Sequence, residues 1–141
     1  MKNFLLLLLL IPLFVSSQTF TLNDTTYNMT LHIDNFSDEF KTELMKDMEV
    51  NSISSSYNTI TLDTLENTIE VNRMSPEGSM TMSLEITTIK EDSLCGTTYN
   101  LYDYYNGNYG FLFIKKDGTV IFSLQDMAFI DEYHGFIGFI N

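Results

Sequence analysis

One cysteine, Cys95, is all the chain offers for cross-linking, so no intramolecular disulfide can form. The fold must stand on packing alone, and 44% hydrophobic residues supply the material for one modest core. For Cys95 itself, the commoner role of a lone cysteine is that of a small buried hydrophobe. Basic residues are also scarce. Seven Lys and Arg stand against 19 Asp and Glu, a net charge of −12. Such a surface repels nucleic acid and anionic lipid surfaces, which sets both aside as partners. There is no internal repeat, no low-complexity tract and no linker, so the 141 residues hold one folded domain.

Only one long apolar run exists, and it lies at the start. "MKNFLLLLLLIPLFVSSQ" has Lys2, then apolar residues from Phe4 to Val15, then small Ser17. That charged, apolar, small-residue order is the pattern of a cleaved secretory leader. The run is well short of the ~20 residues a membrane-spanning helix needs. The expectation is therefore a signal peptide at 1–17, a single β-rich domain at 18–141, no membrane span after its removal, and a secreted or periplasmic protein. Lys2 leaves with the leader, which makes the remainder more acidic still.

Beyond the leader the chain reads mostly as strand. Tyr27, Met29, Leu31 and Ile33 alternate with polar neighbours, the period-two signature of a half-buried strand. "NFSDEFKTELMKDMEV" breaks the pattern. Ser37 can cap a helix, Asp38 and Glu39 favour its first turn, and Phe40, Leu44, Met45 and Met48 share one stripe. One short helix is expected there, ended by the Ser-rich "NSISSS". Ile60 and Leu62, Ile69 and Val71, and Met80, Met82, Leu84 and Ile86 then alternate in three runs. Turning at "TLEN" and "SPEG" sets Leu62 opposite Ile69, Ile60 opposite Val71, Val71 opposite Met82 and Ile69 opposite Leu84. Every apolar residue then falls on one face, the mark of an antiparallel meander.

A polar loop at "KEDSLCG" leads to a second meander with turns at "NG" and "DG". A two-residue turn at Asn106-Gly107 would place Tyr104 opposite Tyr109 and Tyr102 opposite Phe111. Hydrogen-bond parity then forbids a second two-residue turn at Asp117-Gly118. It calls for a three-residue loop with Gly118 left-handed, Phe113 opposite Ile121 and Leu112 opposite Phe122. The central strand becomes apolar on both faces. Rings at period two are more often a packed sheet face than a ligand platform. The exposed remainder is the hairpin tip, where Asp103, Tyr105, Asn106 and Asn108 offer a ring to stack on and polar groups to bind a sugar. These are the candidate ligand-binding residues. The tail "HGFIGFIN" can form one more strand.

Catalytic and metal motifs are missing. His32 and His134 have no recognisable sequence around them, and a Cys95–His pairing cannot be read from one sequence. "DYYNGN" misses the calcium-loop spacing, and "DEYH" at 131–134 is a weak cluster. Met74, Met80 and Met82 suit Cu(I), but the turn sends Met74 to the face opposite Met80 and Met82, so core methionines are the better reading. No cofactor and no metal is implied. Asn23, Asn28 and Asn35 head N-x-[ST] sequons. The sequence therefore reads as a mainly β protein, an antiparallel meander of seven to nine strands forming a curved sheet, sandwich or barrel-like body, with one short helix near the N-terminus. Its function reads as an exported non-catalytic binding or structural module whose partner is a protein, a glycan or a small apolar ligand. A small barrel-like carrier of an apolar ligand is the alternative, and an enzyme without a recognisable motif comes third. A hollow lined by the 102–113 rings would favour the carrier. A cleft joining Cys95, a histidine and a carboxylate would favour the enzyme.

Overall fold

A computed structural model describes residues 17–32, 48–128 and 132–141. Strands β1 (Ser17–Thr21) and β2 (Thr25–His32) run nearly end to end, as do β3 (Met48–Ser55) and β4 (Tyr57–Asp63). β1 pairs antiparallel with β4 and β2 with β3, with Thr21 opposite Thr59 and Thr25 opposite Ser55. Both pairings keep one offset from Ser17 to Asn28, so residues 17–32 and 48–63 form a single bent ribbon. At the bend, Leu22 N–H donates to the Asn58 carbonyl and Ser56 N–H to the Asp24 carbonyl, each at 2.9 Å. A bulge at Asn28/Met29 adds twist to the ribbon.

The expected helix falls on residues outside those described. Two of its assignments are corrected, however. Met48, placed on the helical stripe, is already in β3, and "NSISSS", read as the helix stop, is strand in all but its last residue, in the ladder with β2. A partner strand with a fixed register satisfies this backbone more completely than serine turns would, and tertiary pairing overrides the local signal. Among the described residues there is no helix. None is therefore long and apolar enough to cross a membrane.

Strands β5 (Thr68–Ser75), β6 (Gly78–Asp92), β7 (Gly96–Asp103), β8 (Asn108–Lys115) and β9 (Thr119–Gln125) then form the meander. Its first part matches the sequence pattern residue for residue: Leu62–Ile69, Ile60–Val71, Val71–Met82 and Ile69–Leu84 are cross-strand pairs. So does the β8–β9 hairpin, where Phe113 faces Ile121, Leu112 faces Phe122 and Gly118 has φ 85°. The polar stretch expected as a loop is largely strand. β6 continues to Asp92, leaving Ser93, Leu94 and Cys95 as a three-residue turn. Cys95 is consequently exposed rather than a buried hydrophobe.

The tail is β10 (Glu132–Phe139), and it is central rather than peripheral, pairing with both β9 and β2. Gly135 permits this, because a Cβ there would meet the Phe122 carbonyl oxygen on the adjacent strand. The sheet order is β1-β4-β5-β6-β7-β8-β9-β10-β2-β3, ten strands rather than the seven to nine expected, curled into a half-barrel. One end of the bent ribbon takes β5 and the other takes β10, so the ribbon ties the two ends of the meander together. The inner face holds the larger cluster, including the fully buried Leu22, Ile60, Ile69, Val71, Leu101 and Leu112. The outer face carries a second cluster of Met29, Phe111, Phe113, Ile121, Tyr133 and Ile137. Strand β8 thus buries Leu112 on one side and Phe111 and Phe113 on the other, as its two-sided pattern requires.

Candidate functional site

The hairpin tip is built differently from a two-residue turn. Asp103 pairs with Asn108 and Tyr102 with Tyr109, which leaves Tyr104, Tyr105, Asn106 and Gly107 as a four-residue loop. The expected pairs, Tyr104 with Tyr109 and Tyr102 with Phe111, slip by two residues. Asp103 is the reason. Its Oδ1 accepts the Tyr105 and Asn106 N–H groups at 2.9 and 3.3 Å, and its Oδ2 accepts Asn106 Nδ2 at 2.7 Å. An aspartate holding the next two or three amides closes a longer loop than Asn-Gly alone. Gly107, at φ 72°, takes the left-handed position that ends it. Of the four tip residues, Asp103 is only 5% exposed, its oxygens committed to the turn, while Tyr105 is 92% exposed.

A slip of two keeps the faces. Tyr102 still shares the outer face with Phe111 and Phe113, but Tyr104 leaves the sheet and is 70% exposed, and Tyr109 is exposed as well. Tyr102 forms an edge contact with Tyr104 at 4.9 Å and a tilted one with Tyr109 at 5.0 Å. A hydrogen bond to Glu85 raises the Tyr104 phenol above its ordinary range. The core reading of the rings therefore holds for Phe111 and Phe113 and fails for Tyr104 and Tyr109.

Asn108 is different. It begins β8 and lines a cleft of about 660 Å³ on the inner face, with Asn28, Arg73, Met80, Met82, Leu124, His134 and Phe136 also in its wall. A second hollow of about 800 Å³, walled by Ser52, Ser54, Ser75 and Ser79, shares Asn28, Arg73 and Met80 with it. The two meet at Arg73. This is the only arginine in a chain of net charge −12, and it is half-buried. Alternation puts it there, since it comes after Ile69 and Val71 at period two on the inner face of β5. It reaches across the concavity. Its Nη2 donates to Asn28 Oδ1 at 2.9 Å and to Ser54 Oγ at 2.6 Å. Its guanidinium lies 5.8 Å from the Phe136 ring centroid. Among the described residues no carboxylate forms an ion pair with it.

A hydrogen-bonded row runs inward from Arg73. Ser54 contacts Thr26 at 3.2 Å, Thr26 contacts Ser56 at 2.9 Å, and Asn58 Nδ2 donates to Ser56 Oγ at 3.0 Å. These polar residues line the ribbon's bend, and Thr26, Ser56 and Asn58 are buried. Asn28 Nδ2 donates to Ser52 Oγ at 2.9 Å. The Asn28 amide, read from the sequence as a sequon, is thus engaged at both atoms.

The remaining chemical candidates lie apart. Cys95 sits beside Gly96, which pairs with Lys115, whereas His134 pairs with Leu124 opposite Gly110 at the other end of β8. The backbone of His32 is also at that far end, opposite Glu132. His134 Nε2 lies 3.2 Å from Asp126 Oδ2 and 3.5 Å from Glu132 Oε2, and its Nδ1 lies 3.2 Å from Thr30 Oγ1. Asp131 of "DEYH" is outside the described residues. Among the described residues no group of three or more His, Cys, Asp or Glu is placed to hold a metal ion. Met80 and Met82 face inward and Met74 outward, as the turn register requires. The sequence signal for the site was the single arginine at an inward position of an alternating strand. What the sequence could not supply was its partners on β2, β3 and β10. No protein-family model, curated protein or solved structure matches the chain.

Proposed function

We propose that this chain is an exported, non-catalytic binding module whose ligand sits in the cleft around Arg73. One observation carries the reading: a lone arginine, fixed in orientation by Asn28, Ser54 and Phe136, opens on a cleft and forms no ion pair among the described residues, although Asp126 and Glu77 stand elsewhere in the walls of the two hollows. Burying a cation part-way costs solvation, and a protein ordinarily offsets that with a counter-charge of its own. Here a ligand anion would supply it. The leader pattern at residues 1–17 supports export, and the disulfide-free, packed core is compatible with it. Cys95 lies at the opposite end of β8 from His134, so the cleft joining cysteine, histidine and carboxylate that the enzyme reading looked for is not formed between them.

The carrier alternative needs an enclosed hollow. Against it stands the filling of the inner face by Leu22, Ile60, Ile69, Val71, Leu101 and Leu112, all fully buried. The cleft opens at the edge of that packing and shares only Asn108 with the hairpin tip. Amide NMR of the exported chain against small anionic, neutral and cationic compounds tests the proposal. Saturable shifts gathered at Asn28, Arg73, Met80, Met82 and Phe136 are expected. Shifts confined to residues 103–107 would move the site to the tip and favour a glycan, and a silent cleft contradicts the reading.

A further inference from the structure

We infer, resting on that reading of the cleft, that its ligand is a single-chain amphiphile with an anionic head, a carboxylate or a phosphate. Arginine has five N–H donors in a planar fork. Both donors on Nη2 are taken by Asn28 and Ser54. The three on Nε and Nη1 have no acceptor among the described residues; they point to different sides of the guanidinium, so each is free to donate singly to an oxygen of an anion. Two hydrogen bonds and the Phe136 ring hold the guanidinium plane, so these donors are set before any ligand arrives.

Charge alone would not fill the site. A net charge of −12 disfavours the approach of small anions from bulk, although screening limits that field to about 8–10 Å at ordinary salt. The same field sets aside an anionic membrane surface, which would face the whole acidic exterior rather than one arginine. A ligand must therefore gain much of its affinity from apolar contact. The wall supplies it: Met82, Phe122, Leu124, Phe136 and Met127 line the 660 Å³ arm, whose one carboxylate, Asp126, lies beside His134. Thioethers adapt to a flexible chain, and each methylene removed from water is worth up to about fourfold in affinity. The volume lies within the ~300–1,000 Å³ range of small-molecule sites. In the proposed pose the head rests where the two hollows meet, and the alkyl chain lies along the apolar arm.

Met80 gives a direct test, because it is the cross-strand partner of Arg73 and 44% exposed. Met80→Glu places a carboxylate beside the open donors of Arg73 while leaving the bonds to Asn28 and Ser54 intact. Met80→Gln is the neutral control. Calorimetric titration of the exported chain uses decanoate, decyl phosphate, decyl glucoside and acetate, each below micelle formation. Decanoate and decyl phosphate should bind one to one, and the tighter of the two identifies the head. Decyl glucoside should be weaker by about 10–100-fold, the worth of a charge-assisted pair, and acetate should give no measurable heat. Met80→Glu should weaken both anions by a similar factor, with Met80→Gln within about threefold of the parent. Equal affinity for decyl glucoside, or indifference to Met80→Glu, overturns the anionic head. Acetate binding as tightly as decanoate overturns the tail. No binding of any amphiphile, with cleft amides still moved by other compounds, overturns this inference and leaves the binding module standing. Silence in both experiments overturns both.

Discussion

Phe111→Ala probes the packing on which this fold rests. Phe111 is fully buried on the outer face, with its ring 6.4 Å from that of Tyr133. Its lateral neighbours across the sheet are Asn100 and Ser123. Neither can swing an apolar group into the space a missing ring leaves, and Ser123 Oγ is itself buried without a hydrogen-bond partner. The cavity should persist, which places the loss in the upper part of the ~3–5 kcal/mol range for such truncations. Against a total stability of about 5–15 kcal/mol, that is a large fraction. At an m value of about 2 kcal/mol/M, a loss near 4 kcal/mol lowers the urea midpoint by roughly 2 M with m unchanged. Tyr102→Ala should cost about 1–2 kcal/mol, since a half-buried ring loses its contacts with Tyr104 and Tyr109. Tyr105→Ala should stay within about 0.5 kcal/mol of the parent. Urea melts of the three variants check the order. A harmless Phe111→Ala, or Tyr105→Ala costing more than Tyr102→Ala, refutes the assignment of faces.

Local geometry sets three further outcomes. Gly107→Val should destabilise by about 1–3 kcal/mol, because a β-branched residue resists φ 72°, and thermal melts would detect it; a neutral result contradicts the four-residue loop. Hydrogen bonds from Thr119, with help from Lys115, hold the Asp117 carboxyl below the ordinary carboxylate range. A depressed folded-state value means that its stabilisation is present above the unfolded value and fades as pH falls. Melting temperature between about pH 5 and pH 2 should therefore fall more steeply for the parent than for Asp117→Asn, and parallel curves would contradict the contact. Intact mass of the exported chain should correspond to a start within two residues of Gln18, and a product retaining Lys2 would overturn the export reading.

The alternating runs from Ile60 to Leu84 were legible because each apolar residue had only one face to occupy. Their turns fixed the register without knowledge of the rest of the sheet. The β8–β9 loop was legible for a different reason, since hydrogen-bond parity left it one arrangement. The β7–β8 hairpin misled because Asn-Gly is a strong two-residue signal and the aspartate before it is a stronger four-residue one. "TLEN" already shows the rule. Asp63 Oδ1 accepts the Leu65 and Glu66 N–H groups at 3.0 and 3.1 Å, and Asn67 closes that loop at φ 54°. Asp63 and Asp103 therefore head matching four-residue loops, and Asp92 holds the Leu94 and Cys95 amides in the same way. Part of the chain's acidity is thus turn chemistry. β3 and the cleft were illegible because both depend on partners far away in sequence. Arg73 meets Asn28 and Ser54 only because the ribbon bends at Leu22–Asp24 and Ser56.

Because Arg73 is the only arginine, its Nε–H gives one arginine side-chain resonance in a nitrogen-resolved NMR spectrum, with no assignment ambiguity. The central claim is that this N–H is open and meets an anion. On titration with decanoate, the resonance should shift saturably, and its exchange with water should slow as the N–H becomes covered. In Met80→Glu the same resonance should sit displaced before any ligand is added and move no further. A resonance that ignores decanoate in the parent protein, or that is unaltered by Met80→Glu, would contradict the account.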